Sequence, residues 1–220
     1  MIITIDGPAG AGKSSVAKML AQRLGFRFLD TGAMYRAIAW LSITEEIESM
    51  SSEKFRNMID QLEIEIDEKK IRINGFDVTT VIRQPHVTAR VSVIADEVYV
   101  RDKLVQQQRE IAKEGNYVCE GRDQGTEVFP DSRCKIFLTA SAEERAKRRT
   151  RDLNLNGEVV TETEILKQQI DRDQRDETRP VGRLFKADDA IEVVSDGMEL
   201  DEVVDRLEEI ARDRLGLPKE

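Results

Sequence analysis

Residues Gly7 to Ser14 read GPAGAGKS, a glycine followed by four residues and then Gly-Lys-Ser. Glycines at this spacing let backbone N–H groups approach phosphate oxygens at the start of a helix, where the helix dipole favours an anion. The pattern predicts a nucleoside triphosphate, taken as ATP, held by Gly7, Pro8, Ala9, Gly10, Ala11, Gly12, Lys13, Ser14 and Ser15. Lys13 would span the β- and γ-phosphates, and the Ser14 hydroxyl would bind Mg²⁺, partly through water. A glycine turn with a solvated lysine is the bland alternative, and the strand-loop-helix setting argues against it.

Phosphoryl transfer needs positioning and charge neutralisation more than covalent help. Arg172, Arg175, Asp176 and Arg179 recur at i, i+3, i+4 and i+7, which would align three guanidinium groups and a carboxylate on one helical face. Arg145, Arg148 and Arg149 form a second such face. In an acidic chain, two arginine faces beside a polar loop predict a clamp on phosphates rather than solvated ion pairs. No residue stands out as a general base, since the only histidine, His86, follows Pro85 where an exposed or capping role fits. An acceptor that is itself a phosphate monoester needs no base, because its second pKa is about 6. An alcohol acceptor would need an activating carboxylate, for which Asp30 and Asp123 remain open.

The elements that must position these groups follow from short apolar runs. Ile2 to Ile5 reads as a central parallel strand buried on both faces. After the glycine turn, Val16, Ala17, Leu20, Ala21 and Leu24 recur at helical spacing until Gly25. Similar runs at Arg27 to Leu29, Tyr117 to Cys119, Cys134 to Leu138 and Ala190 to Val194, with helical patterns between most of them, predict an α/β fold built on a five-stranded, doubly wound parallel sheet. From Leu62 to Val78 apolar and charged residues alternate around turns at Asp67 to Lys69 and Asn74-Gly75. That is a small antiparallel insert, placed at about 60 to 90. Capping boxes at Ser141 with Glu144 and Thr161 with Glu164 start helices on either side of the polar stretch Asn154 to Gly157, a short lid over residues 150–161.

Bulk composition narrows the partners. With 220 residues, 40% of them hydrophobic, the chain can bury one full core. A net charge of −9 with 35% charged residues disfavours nucleic acid and anionic membrane, so a polyphosphate must be held by a local basic site. Cys119 and Cys134 lie in apolar runs at no metal spacing and read as reduced core residues of a cytoplasmic protein. Neither a basic leader nor a membrane-length apolar stretch is present, and the lack of a heptad pattern points to a monomer.

Together, IDGPAGAGKSS at Ile5 to Ser15, LDTGAMYR at Leu29 to Arg36, EGRDQGTEVFPD at Glu120 to Asp131, KIFLTASAEERAKRR at Lys135 to Arg149 and DRDQRDETR at Asp171 to Arg179 resemble the bacterial-type cytidylate kinases of the nucleoside monophosphate kinase superfamily. The resemblance implies a P-loop core over 1–30 and 93–220, and a monophosphate-binding region over 31–92 that carries the insert. It implies transfer of phosphate from MgATP to CMP, and to dCMP. Arg36, Arg122 and Arg172 would hold the acceptor phosphate, and Tyr35, Asp176 and Arg179 would surround its ribose, with Thr31 in the same site. Ser92, Arg101 and Asp123 would read cytosine, whose amino group needs a carboxylate acceptor while N3 and O2 need donors. Arg148 and Arg149 would cover ATP from the lid, and Lys13, Arg122, Arg172, Arg148 and Arg149 would form the catalytic set. Asp30 would orient arginines or metal-bound water. Ser15, Thr31 and Gln124 depart from the family pattern without removing a charge, and Gln124 bears on packing beside Asp123. The alternatives are a kinase of UMP or of a small alcohol, or a nucleotide-driven switch with no second substrate.

Overall fold

The apolar run after Met1 forms β1 (Ile2–Asp6) in the computed structural model, which describes residues 1–67, 70–155 and 157–218. In chain order there follow α1 (Lys13–Leu24), β2 (Arg27–Asp30), α2 (Thr31–Thr44), α3 (Glu53–Asp60), β3 (Ile64–Ile66), β4 (Ile71–Ile73), β5 (Phe76–Asp77), α4 (Pro85–Ala95) and α5 (Val98–Ala112). The chain continues through β6 (Tyr117–Gly121), β7 (Cys134–Thr139), α6 (Ala142–Leu155), α7 (Glu162–Thr178), β8 (Ile191–Val194) and α8 (Leu200–Leu215).

Five strands form one parallel sheet in the order β2-β6-β1-β7-β8. β1 sits at its centre, paired with β6 through Ile2↔Tyr117 to Asp6↔Gly121 and with β7 through Ile3↔Cys134 to Asp6↔Phe137. Strands are added first on one side of β1 and then on the other, so the turn after β1 opens at the switch point where such sheets bind ligands. Ile3 and Ile5 are fully buried and pack with Val16, Ala17, Leu20 and Ala21 of α1 and with Val203, Val204, Leu207 and Ala211 of α8. The helical spacing read in the sequence is therefore the buried face of α1, and Gly25 ends that helix in the left-handed conformation. Cys119 and Cys134 are buried free thiols on β6 and β7, and desolvation pushes both thiols up, Cys134 to about 12.

The chain divides into two compact units, Met1–Phe28 with Gly115–Glu220, and Leu29–Glu114. The second contains the antiparallel sheet β3-β4-β5, whose registers Ile64↔Ile73 and Ile66↔Ile71 bury Ile64, Ile71 and Ile73 on one face. The Asn74-Gly75 turn has positive φ at both residues, as a two-residue hairpin turn of this hand requires. Of the other expected turn, Glu68 and Lys69 lie outside the described residues. The insert is shorter than its expected span of 60 to 90, because its strands end at Asp77 and a 3₁₀ turn, Val81–Arg83, leads into α4. Pro85 starts that helix, where a missing N–H costs nothing. His86 lies exposed in its first turn.

The box Thr161–Glu164 is complete at the start of α7, whereas at α6 the Ser141 hydroxyl accepts the Glu144 N–H at 3.2 Å and the Glu144 carboxylate takes Arg148 Nε at 3.1 Å. Residues 150–155 of the expected lid belong to α6, and Asn156 lies outside the described residues. Among the described residues no helix is long and apolar enough to cross a membrane.

Candidate active site

The first unit carries the phosphate loop between β1 and α1. A Cβ on Gly7 would lie 1.9 Å from the carbonyl oxygen of Leu138 on β7, so only glycine lets the loop leave the sheet here. Lys13 begins α1 and is 5% exposed, with its ammonium donating to the Pro8 carbonyl at 2.7 Å. Burial depresses its pKa from 10.5 to about 7, the positive field of Arg122 and Arg172 pushing the same way while Glu120 and Asp6 oppose it. The charges of both arginines reach Lys13.

The next residue, Ser14, donates its hydroxyl to the Glu120 carboxylate at 2.7 Å. Glu120 stands on β6 opposite Ile5 of the central strand. Sequence reading gave it no role, although an acid ending an apolar strand run was a usable signal. A hydroxyl and a carboxylate offer hard oxygen donors suited to Mg²⁺, which takes few protein ligands and shares its shell with water and phosphate. Among the described residues no group of three or more His, Cys, Asp and Glu is arranged to hold a metal ion.

Arg122 and Asp123 follow β6, and α7 supplies their partners. Asp176 accepts Arg122 Nε at 3.0 Å and Arg179 Nη2 at 3.0 Å, with its side chain 7% exposed. Burial alone would raise its pKa, but Arg122, Arg179 and Arg172 outweigh burial and hold the carboxyl below its ordinary range. The expected single helical face is corrected at its last member. Arg179 lies past the end of α7 with ψ 138°, because Pro180 forces the residue before it out of the helical region. Its guanidinium nevertheless returns to Asp176.

The second arginine face divides. Arg145 is buried and committed to protein, donating to Ala140 O at 3.0 Å and to Ala9 O in the phosphate loop at 2.9 Å, and pairing with Asp173 Oδ2 at 2.7 Å. It thereby ties the loop to α6 and α7, a role its spacing did not reveal. Arg148 bonds Glu144 and both the hydroxyl and the carbonyl of Ser195. Arg149 is exposed on α6.

In the second unit Asp30 caps α2, accepting the Ala33 N–H at 2.8 Å, and binds Arg36 Nη2 through both carboxylate oxygens at 3.0 and 2.9 Å. The Arg83 guanidinium, not singled out in the sequence, also reaches Asp30 at 3.4 Å. Arg101 on α5 is buried and lies 5.7 Å from the ring centre of Tyr35 on α2, while Ser92 sits on α4 and Thr31 is buried at the start of α2. Two arginines thus share one carboxylate, and a third, buried one lies over an aromatic face.

A central parallel strand that opens into a glycine-rich phosphate loop, with a buried lysine and attendant arginines, defines a P-loop kinase. The chain belongs to the cytidylate kinase family, whose model matches residues 3–213. It is 50% identical over 213 residues to a cytidylate kinase of Rhodopirellula baltica, covering 97% of this chain and 93% of that protein. It is also 47% identical over 221 residues to a bifunctional pantoate ligase/cytidylate kinase of Synechococcus sp. (strain CC9311), covering 98% of this chain but 45% of that longer protein. In fold it is similar to a shikimate kinase from Bacteroides thetaiotaomicron, with a TM-score of 0.53 and 15% identity over 96% of this chain and 98% of that one.

Proposed function

We propose that the chain phosphorylates CMP, and dCMP, with ATP by direct in-line transfer, as a cytoplasmic monomer. The observation that carries this reading is Lys13, a buried ammonium whose charge is opposed by burial and by Arg122 and Arg172 in a chain of net charge −9. Cations crowded in this way are unfavourable until a polyanion joins them, and the family supplies one in each nucleotide.

In this proposal the phosphate loop from Gly7 to Ser15 holds the ATP phosphates and Lys13 follows the migrating group. Ser14 would hold Mg²⁺, with Glu120 fixing the hydroxyl or a metal-bound water. The ion's chemistry is to neutralise charge on the phosphate oxygens. Arg36, Arg122 and Arg172 hold the acceptor phosphate, which attacks without a base because it is already ionised. Tyr35, Asp176 and Arg179 lie about the ribose, with Thr31 beside them, and Ser92, Arg101 and Asp123 read cytosine. Arg148 and Arg149 serve from α6 as the lid closes, which for Arg148 requires release of Ser195. Asp30 aims Arg36.

ADP release measured across CMP, dCMP, UMP and AMP tests the reading. CMP and dCMP are expected to dominate in kcat/KM, and ADP formation that ignores the monophosphate would point instead to a nucleotide switch. Asp123→Ala is expected to lower the CMP-to-UMP ratio of kcat/KM by at least about tenfold, since uracil turns a carbonyl toward the carboxylate where cytosine turns an amine. An unchanged ratio would remove Asp123 from base selection.

A further inference from the structure

Asp6 is the last residue of β1 and immediately precedes the phosphate loop. Its carboxylate is 5% exposed and accepts two successive backbone N–H groups, Gln124 at 2.8 Å through Oδ1 and Gly125 at 2.7 Å through Oδ2. Those amides belong to the turn directly after Arg122 and Asp123. The same turn closes on itself, the Asp123 carbonyl accepting the N–H groups of Glu127 at 2.9 Å and Val128 at 3.1 Å. Gly125 is held so close that a Cβ there would meet Thr4 Oγ1 at 2.9 Å, Lys135 Cδ at 3.2 Å and Asp6 Oδ2 at 3.3 Å. A buried carboxylate is costly, and burial pushes the Asp6 pKa up to about 7 despite the two amide bonds. A neutral hydrogen-bonding side chain would avoid that cost, but only a carboxylate offers two acceptor oxygens and no donor to a pair of amides.

We infer that Asp6 is a positioning residue for acceptor selection: by gripping the Gln124 and Gly125 amides it fixes Arg122 and Asp123 against the strand that leads into the phosphate loop. The inference rests on the reading of Asp123 as the cytosine-selecting carboxylate and of Arg122 as a phosphate ligand. It explains why Gly125 must lack a side chain, and it gives the acid before Gly7 a task on the acceptor side in addition to its charge on Lys13. Asp6→Asn keeps the size of the side chain but turns an NH₂ toward one of the two amides, so the turn must shift. Gly125→Ala leaves the Asp6 carboxylate in place and displaces the same turn through its Cβ, which would press on Thr4, Lys135 and Asp6.

Both full-length variants are to be compared with Asp123→Ala and the unaltered chain by circular dichroism, ATP binding calorimetry and steady-state kinetics with CMP and UMP. The expected result in Asp6→Asn and Gly125→Ala is a CMP KM raised at least about tenfold, a CMP-to-UMP ratio of kcat/KM lowered about tenfold, and an ATP Kd changed less than about threefold. Should Asp6→Asn fail to fold, Gly125→Ala reads the same displacement alone. An ATP Kd that worsens in step with the CMP KM would reduce Asp6 to a structural role and overturn the inference. So would an unchanged ratio in the folded variants while Asp123→Ala loses selection. If Asp123→Ala itself leaves the ratio unchanged, the underlying reading of Asp123 fails, and the inference with it.

Discussion

Replacing Lys13 with alanine is expected to lower kcat by about 10²- to 10³-fold or more, the range for removing one group that neutralises charge in a transition state, with no loss of thermal stability at neutral pH. The two halves of that expectation have one cause. Lys13 is buried, and its pKa falls from 10.5 to about 7 because burial, then Arg122 and Arg172, disfavour the ammonium. Between those two values the unfolded chain holds a proton that the folded chain has lost, so unfolding takes up a proton and this group makes stability rise with pH across the window. The alanine variant should lack that part of the rise and unfold at neutral pH no more easily than the unaltered chain. Thermal melts at several pH values, run beside single-turnover kinetics, check both halves. A variant that loses turnover and stability together would mean that Lys13 props the loop rather than serving the phosphates.

The parts that local sequence determines were legible in advance. The phosphate loop and α1 depend on glycines and an apolar stripe within one short segment, and all five core strands begin and end within two residues of the apolar runs that announced them. The alternation from Leu62 to Val78 likewise became β3, β4 and β5. What followed it was not legible: Pro85 reads as a break in a strand pattern, but also fits the first position of a helix, and tertiary packing of Val87, Ile94 and Ala95 decided for α4. The same ambiguity misplaced Arg179 on a helix that Pro180 had already ended.

Side-chain roles were legible only where one motif held them. Ser14 was assigned from its motif, whereas Glu120, its partner, is 106 positions away and meets it through the register of β1 with β6. Asp6 and the amides it holds are 118 and 119 positions apart. Arg145 read as one arginine of a phosphate clamp, and only the fold shows it buried on the Ala9 carbonyl. Spacing along a helix says which side chains share a face, but not whether that face meets solvent, substrate or a loop from the far end of the chain.

Asp176→Ala should be damaging to both stability and turnover, the reverse of the Lys13 outcome, because here the charge removed is the one that balances its neighbours. Asp176 holds Arg122 and Arg179, and the Arg179 side chain is 4% exposed. Without the carboxylate, that buried guanidinium loses this ion pair, and breaking a buried pair by removing one partner typically costs about 3–5 kcal/mol. Its folded pKa is lowered, since Arg122, Arg179 and Arg172 together outweigh the opposing effect of burial. The stability it contributes is therefore complete above the ordinary carboxylate value of 3.8 and is lost as pH falls through the lower folded value, and the variant should show a flatter acid limb in its melts. Turnover should drop by about 10²-fold, the penalty for misplacing a reacting group by an ångström, because Arg122 loses the bond that aims it. Asp176→Asn separates the effects: it preserves shape and one acceptor, so it should recover part of the turnover while remaining destabilised at neutral pH. Unfolding curves and kcat for the two variants, measured side by side, decide whether Asp176 aims Arg122 or merely neutralises it; equal turnover in the two would leave only the charge.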